Sequence, residues 1–166
     1  MPIVSLSNDN PFVDGRQSQR ANVIRMGVER YFSEMGRACL PEVTLSNGRR
    51  ADLVALGPKG DVTIVEIKSS IEDFKVDTKW PEYRPYCDRF LFATLADVPE
   101  DIFPQTEGLL IADSYFAEQR REAAEHKMGA AKRKDVHLRI ARASIARLNR
   151  CCAHAGLDTL QFADDG

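Results

Sequence analysis

Long apolar runs are missing from this 166-residue chain, and with them any candidate for a membrane-spanning helix, which needs roughly 18 uninterrupted apolar residues. Residues 1–13 mix polar and apolar types without a basic start and an apolar core, so no secretory signal is expected and a cytoplasmic location is. Cysteine is scarce and shows no C-x-x-C spacing at Cys39, Cys87, Cys151 and Cys152. The three histidines, His126, His137 and His154, all fall late in the chain, which argues against a zinc site and for reduced thiols. An excess of either charge is lacking too, since 23 Lys and Arg face 25 Asp and Glu for a net charge of −2. Nothing therefore draws the whole molecule to a polyanion, and nucleic-acid binding would need a local cluster of cations.

What is present suits one globular domain with a substantial core: 43% hydrophobic and 29% charged residues, with no room for a second full domain. Residues 1–17 are rich in turn formers and read as an N-terminal arm, residues 18–150 as the domain, and residues 151–166 as a C-terminal tail. From Ser18, the apolar positions Ile24, Val28, Tyr31, Phe32 and Met35 mark one helical face, and Gly36 stops it. Three short apolar segments follow, 38–45, 51–56 and 62–69, divided by Asn47-Gly48 and by Gly57-Pro58-Lys59-Gly60, a pattern of hairpin-linked strands. Residues 71–88 contain Pro81 and Pro85 and permit one or two short helices. Two buried strands are expected at 90–94 and 108–112, then helices across 115–150 with a break at Gly129. The sum is an α/β fold, a central mixed sheet flanked by helices with a C-terminal helical extension.

In Val62-Thr63-Ile64-Val65-Glu66-Ile67-Lys68, side-chain alternation puts Val62, Ile64, Glu66 and Lys68 on one face. A carboxylate in so apolar a strand is costly unless a partner or a metal compensates it. Asp52, within Ala51-Asp52-Leu53-Val54, poses the same question. If the loop is Pro58-Lys59-Gly60, residues pair when their numbers sum to 118 and Asp52 faces Glu66 with about 4.5–5.5 Å between Cβ atoms. A four-residue loop would shift the register by one and turn the two acids to opposite faces unless a bulge intervened. Adjacent carboxylates with no Cys or His suit a hard ion, Mg2+ or Mn2+, completed by substrate phosphate. Lys68 would orient the attacking water and neutralise the pentavalent phosphate. The plainer alternative is a Glu66–Lys68 salt bridge, with Asp52 neutralising Arg49 or Arg50.

Asp52 followed by Glu66-Ile67-Lys68 resembles the PD-(D/E)XK signature of the restriction-endonuclease-like superfamily, whose core runs α-β-β-β-α-β. More narrowly, the chain resembles the bacterial MmcB-like DNA repair family over about residues 18–150. The resemblance is carried by Arg50-Ala51-Asp52-Leu53, Val65-Glu66-Ile67-Lys68-Ser69-Ser70, Asp73-Phe74, Asp77-x-Lys79-Trp80, Tyr83 and Cys87-Asp88. The resemblance implies a metal-dependent DNA endonuclease acting in bacterial DNA repair. Asp52, Glu66 and Lys68 would be its catalytic residues, and Asp52, Glu66 and the Ile67 backbone carbonyl its Mg2+ or Mn2+ ligands. Ala51 stands where the superfamily motif has Pro, at a position that carries no ligand. Glu29 is a further metal-ligand candidate from the first helix, about 60° from Phe32 on the wheel, with a solvated helix glutamate as the alternative. Glu42 on the first strand is a similar rim candidate.

Residues 115–150 carry ten basic and four acidic residues, +6 against −8 for the remainder. That face, densest at Lys132-Arg133-Lys134, either holds DNA phosphates or is an ordinary solvated surface. Lys79 and Trp80 are DNA-binding candidates beside the site, although Trp80, Tyr83 and Tyr86 also have the spacing of a helix packed on a sheet. DNA is the expected partner, with DNA repair proteins a further class. One triad cuts one strand at a time, so a monomer and a homodimer both fit. A catalytically silent nuclease-fold module binding DNA or a repair protein is the competing reading.

Overall fold

The computed structural model describes residues 19–156. The element order is α1 (Gln19–Glu34), β1 (Ala38–Thr44), β2 (Arg50–Leu56), β3 (Val62–Ile67), α2 (Ile71–Val76), a 3-10 helix (Trp80–Tyr86), β4 (Arg89–Thr94), a short 3-10 turn (Glu100–Ile102), β5 (Gly108–Ala112), β6 (Ala117–Arg121) and α3 (Ala130–His154). The strands form one mixed sheet in the order β1-β2-β3-β4-β5-β6. The pairs β1–β2, β2–β3 and β5–β6 are antiparallel, and β3–β4 and β4–β5 are parallel.

Two three-residue turns of one design build the first half of the sheet. Gly48 N donates to Leu45 O at 3.0 Å and Leu45 N to Arg49 O at 2.7 Å, while Gly60 N donates to Gly57 O at 2.9 Å and Gly57 N to Asp61 O at 2.8 Å. Gly48 and Gly60 close these turns at φ 83° and 84°, the left-handed conformation that only glycine adopts without strain. The β2–β3 pairs Leu53↔Val65, Val54↔Ile64, Ala55↔Thr63 and Leu56↔Val62 each sum to 118, the register of the Pro58-Lys59-Gly60 loop.

The sheet is buried on both faces, and β3 is buried along its whole length. One face, with Leu53, Val65 and Leu91, packs on Ile24, Val28 and Phe32 of α1. The other, with Val54, Ile64, Phe90 and Phe92, is covered by α2, the 3-10 helix and Val136 and Ile140 of α3. The side chain of Glu66 belongs to this second face by alternation with Ile64.

Helix was expected across 115–150, but the first part forms the edge strand β6 and residues 122–129 are not helical, so one helix starts at Ala130 with Gly129 as its N-cap. The composition of Ala117–Arg121 favours a helix, yet Ala117 is fully buried and the segment pairs with the otherwise open edge of β5. Its charged residues suit an edge that must not recruit another strand. The helix also continues to His154, past the expected domain end at residue 150. The expected N-terminal arm, residues 1–17, and the tail beyond residue 156 lie outside the described residues.

An ion pair between a half-buried arginine and a buried carboxylate fastens α3 to the sheet. Arg133 grips Asp88 with both terminal nitrogens, at 2.8 and 2.6 Å, and also donates to Gly60 O at 3.0 Å. Asp88 further accepts the amides of Val62 and Met128. Burial pushes the Asp88 pKa up, but Arg133 and the two amides overcome it and bring it down to about 2. Because that folded pKa lies below the unfolded value, the pair's contribution of about 2 kcal/mol is full above pH ~4 and is lost as pH falls toward 2. Arg133→Ala should cost about 3 kcal/mol or more by stranding a buried carboxylate, a loss read directly from urea unfolding at pH 7.

Candidate active site

The site forms where β2 loses its regular pairing. Glu42 stands opposite Asp52 in the β1–β2 register, yet the ladder steps over that pair, and the β2–β3 ladder begins only at Leu53. Glu42 has φ 53°, and both strands change face here: Leu40 and Val43 enter the same apolar cluster, as do Ala51 and Val54, at a spacing of three instead of two. Side chains replace the missing ladder bonds. Asp52 N donates to Glu66 Oε1 at 3.2 Å, and Ile67 N donates to Asp52 Oδ2 at 2.8 Å. Each carboxylate thus holds the other strand's backbone, and the two acids meet as the loop arithmetic requires.

Glu66 is 4% exposed and Lys68 5%. Lys68 is fixed through its backbone, with its amide donating to Ala93 O at 2.9 Å and its carbonyl accepting Thr94 Oγ1 at 2.6 Å. Its ammonium reaches Asp77 Oδ2 at 2.6 Å and stands 4.0 Å from Glu66 Oε2. The plain Glu66–Lys68 salt bridge is therefore the longer contact, and Asp77 takes the hydrogen bond.

Burial raises the pKa of Asp52 to about 6, against the opposing pull of the Ile67 amide and the charge of Lys68. Glu66 is raised well above the ordinary carboxylate range, first by burial and then by the charge of Asp52. Burial lowers the Lys68 pKa, but the Asp77 hydrogen bond and the charges of Glu66, Asp77 and Asp52 lift it above the usual value, so Lys68 is an ammonium at neutral pH. With its charge held in this way, Lys68 fits positioning and charge neutralisation better than proton abstraction.

In an extended strand a residue's N–H and C=O point toward the same neighbour, so the Ile67 carbonyl is directed to the β2 side, where Asp52 lies. Glu29 is not brought to this group. α1 has its N-terminal end at the site, where Arg20 donates to Ser69 O at 2.9 Å, and Glu29 lies nine residues further, about 13 Å along the axis, on the opposite face of the sheet. There it sits 3.9 Å from Arg25. Glu42 turns to Arg50 at 3.6 Å.

The Lys132-Arg133-Lys134 cluster is largely committed elsewhere. Arg133 is held by Asp88, and Lys132 lies 4.2 Å above the ring of Tyr86, leaving Lys134 exposed. Trp80 stacks on Phe90 at 5.7 Å and meets Phe92 edge-on, and Tyr83 also stacks on Phe90 while its hydroxyl donates to Arg50 O, so these aromatics pack the helix to the sheet. Lys79 is exposed next to Asp77, whose carboxylate accepts its amide.

A family model described as DNA repair protein MmcB-like matches residues 8–155. The chain belongs to that MmcB-like family. A solved structure, the SPO1766 protein of unknown function from Silicibacter pomeroyi, is similar to it with a TM-score of 0.79 and 34% identity, covering 89% of this chain and 99% of that one. No curated protein matches the chain. Among the described residues no helix is long and apolar enough to cross a membrane.

Two supporting residues of this MmcB-like site carry more than the sequence argument assigned them. Asp77, named there only for its place in the family motif, is the direct partner of Lys68. Asp73 accepts Ser69 N at 2.9 Å and Ser69 Oγ at 3.2 Å, holding the turn that follows β3. The signal for both was their place among three acids, Glu72, Asp73 and Asp77, within ten residues of the E-x-K strand.

Among the described residues no three His, Cys, Asp or Glu side chains gather as a metal cage. Two carboxylates and a carbonyl nevertheless match the needs of a hard ion that keeps several waters and takes substrate oxygen, and burial, the main cause of the raised pKa of both acids, leaves a charge penalty that a cation would offset. The donor set fits Mg2+ or Mn2+.

For a carboxyl raised in the folded state, stability is full below the unfolded pKa and declines as pH rises through the folded one. In EDTA, the Asp52 carboxyl should therefore cost the protein up to about 3 kcal/mol between pH 4 and 7. Asp52→Asn should remove that decline, raising the melting temperature relative to wild type at pH 7 and not at pH 4. Equal pH slopes for the two proteins would contradict it.

Proposed function

We propose that this chain is a metal-dependent DNA endonuclease of the PD-(D/E)XK, restriction-endonuclease-like type, acting in DNA repair. Membership of the MmcB-like family supports the repair role. The observation that carries the nuclease reading is the pairing of Asp52 with Glu66 across the β2–β3 hairpin, each bonded to the other's strand, with the Lys68 ammonium on the same face.

Asp52, Glu66 and the Ile67 carbonyl would hold Mg2+ or Mn2+, which supplies Lewis-acid polarisation of a phosphodiester and a lowered pKa for bound water. The chain's own residues do the rest. Lys68, anchored by Asp77, presents a fixed positive charge toward the site where phosphate oxygen and nucleophilic water would lie. Its confinement means that little is spent on reorganisation when charge develops on the phosphate. The surrounding apolar wall of Val54, Ile64, Phe90 and Phe92 lowers the local dielectric and strengthens that interaction.

The test is cleavage of labelled single-stranded, double-stranded and forked DNA by the purified protein with Mg2+ or Mn2+, beside an EDTA control. Glu66→Ala and Asp52→Ala should each reduce cutting by about 100-fold or more, and Lys68→Ala by about 100-fold, with DNA binding retained in all three. Binding without cutting of any DNA by the wild type would assign the fold to the silent, binding-only alternative.

A further inference from the structure

The geometry points to a second functional surface, a DNA-backbone groove between β1 and the C-terminal half of α3 in which Arg142 and Arg150 hold phosphates. This inference rests on the reading that the substrate is DNA, and it moves the contact away from the Lys132-Arg133-Lys134 cluster, where Arg133 is occupied by Asp88 and Lys132 by the Tyr86 ring.

Between β1 and α3 lies a cleft of about 540 Å3 whose walls include Glu42, Thr44, Arg139, Arg142, Arg147 and Arg150. The four arginines project from one side of the helix, and after Asp135 α3 carries no carboxylate at all. Two of the four have structural work. Arg139 pairs with Asp135 at 3.1 Å, and Arg147 donates to the carbonyls of Pro41 and Glu42, which ties the helix to β1 at the residue of positive φ. For Arg142 and Arg150, no carboxylate among the described residues comes within ion-pair distance, and both are exposed. Eight residues separate them, about 12 Å along the helix axis. A duplex strand carries a phosphate about every 3.4 Å of its axis, so the two guanidinium groups meet different phosphates.

Position connects this cleft to the acids. Glu42 stands opposite Asp52 in the strand register, one strand spacing away, and α3 covers the face of the sheet to which Glu66, bonded to the Asp52 amide, belongs. A backbone lying along the arginines is thereby directed past β1 toward the hairpin. An acidic polypeptide is the competing occupant. DNA is favoured because the neighbouring group is a carboxylate pair suited to a phosphate-coordinating ion, and because Arg is the side chain best matched to phosphate geometry.

The experiment is fluorescence anisotropy of labelled duplex and single-stranded DNA of mixed sequence, with the full chain in EDTA at several salt concentrations so that binding is read without cleavage. The double variant Arg142→Gln, Arg150→Gln should weaken both forms about tenfold and reduce the salt slope on duplex by about 1.8, whereas Arg30→Gln, on the exposed side of α1, changes neither. Wild-type binding that the double variant matches in affinity and slope would overturn the groove and leave the DNA reading standing. A wild type that binds neither DNA at any salt, in EDTA and again with Mg2+, tested beside labelled poly-glutamate, would overturn both, and capture of poly-glutamate alone would assign the groove to an acidic protein.

Discussion

The three-residue turn Pro58-Lys59-Gly60 sets the constraint on which the candidate chemistry depends. Side chains alternate along a strand, so one residue more in the loop would send Asp52 and Glu66 to opposite faces and leave each acid buried alone. With Gly60 in the left-handed conformation the loop closes at Gly57 and Asp61, and every pair after it inherits that register. The hydrophobic pattern enforces the same answer independently, because a slip would drive Val54 and Ile64 out of one core and Leu53 and Val65 out of the other. Two unfavourable charges are thus held together by many favourable apolar contacts, none of which involves the acids.

This explains why the centre of the site was legible from the sequence and its surroundings less so. Loop length and the register it sets are local properties, and they suffice to place Asp52 across from Glu66. β6 was not legible, because five residues of Ala, Glu, Gln and Arg have helical preferences and only the unpaired edge of β5 makes them a strand. The occupation of Arg133 depends on Asp88, 45 residues earlier, and no local pattern signals a bond of that range. Glu29 shows the same limit from another side. A helical wheel reports which way a residue faces around its own helix, and says nothing about which face of the sheet the helix covers or which end it reaches. Similarly, the face change at Glu42 and Asp52 follows from a positive φ that a glutamate rarely adopts and no sequence rule anticipates.

The cations of the molecule divide into those that hold structure and those that do not. Arg133 fastens the start of α3 to the sheet through Asp88, and Arg147 fastens its later part to β1 through two carbonyls. Beyond Asp135, which answers Arg139, the helix presents positive charge with no acid of its own, although the molecule as a whole is slightly acidic. Net charge therefore conceals the asymmetry that matters. Acids are concentrated near the hairpin and unanswered arginines beside it, an arrangement that repels phosphate at one point and attracts it at the next.

That local repulsion defines what the acids require. Around Lys68 stand Asp52, Glu66 and Asp77, three carboxylates to one ammonium, a formal deficit of two charges when all are ionised. Asp77 claims the ammonium at 2.6 Å, so the deficit falls on the Asp52–Glu66 pair, where burial already penalises charge. Protons can relieve it, and burial already raises both acids toward the protonated form, but a protonated pair offers a substrate phosphate no positive charge. A divalent ion relieves the same deficit completely and remains able to accept phosphate oxygen in its outer positions. Of the two ways to balance the pair, only the second leaves the site useful toward an anion, and the arginines of α3 are placed for a ligand of that sign.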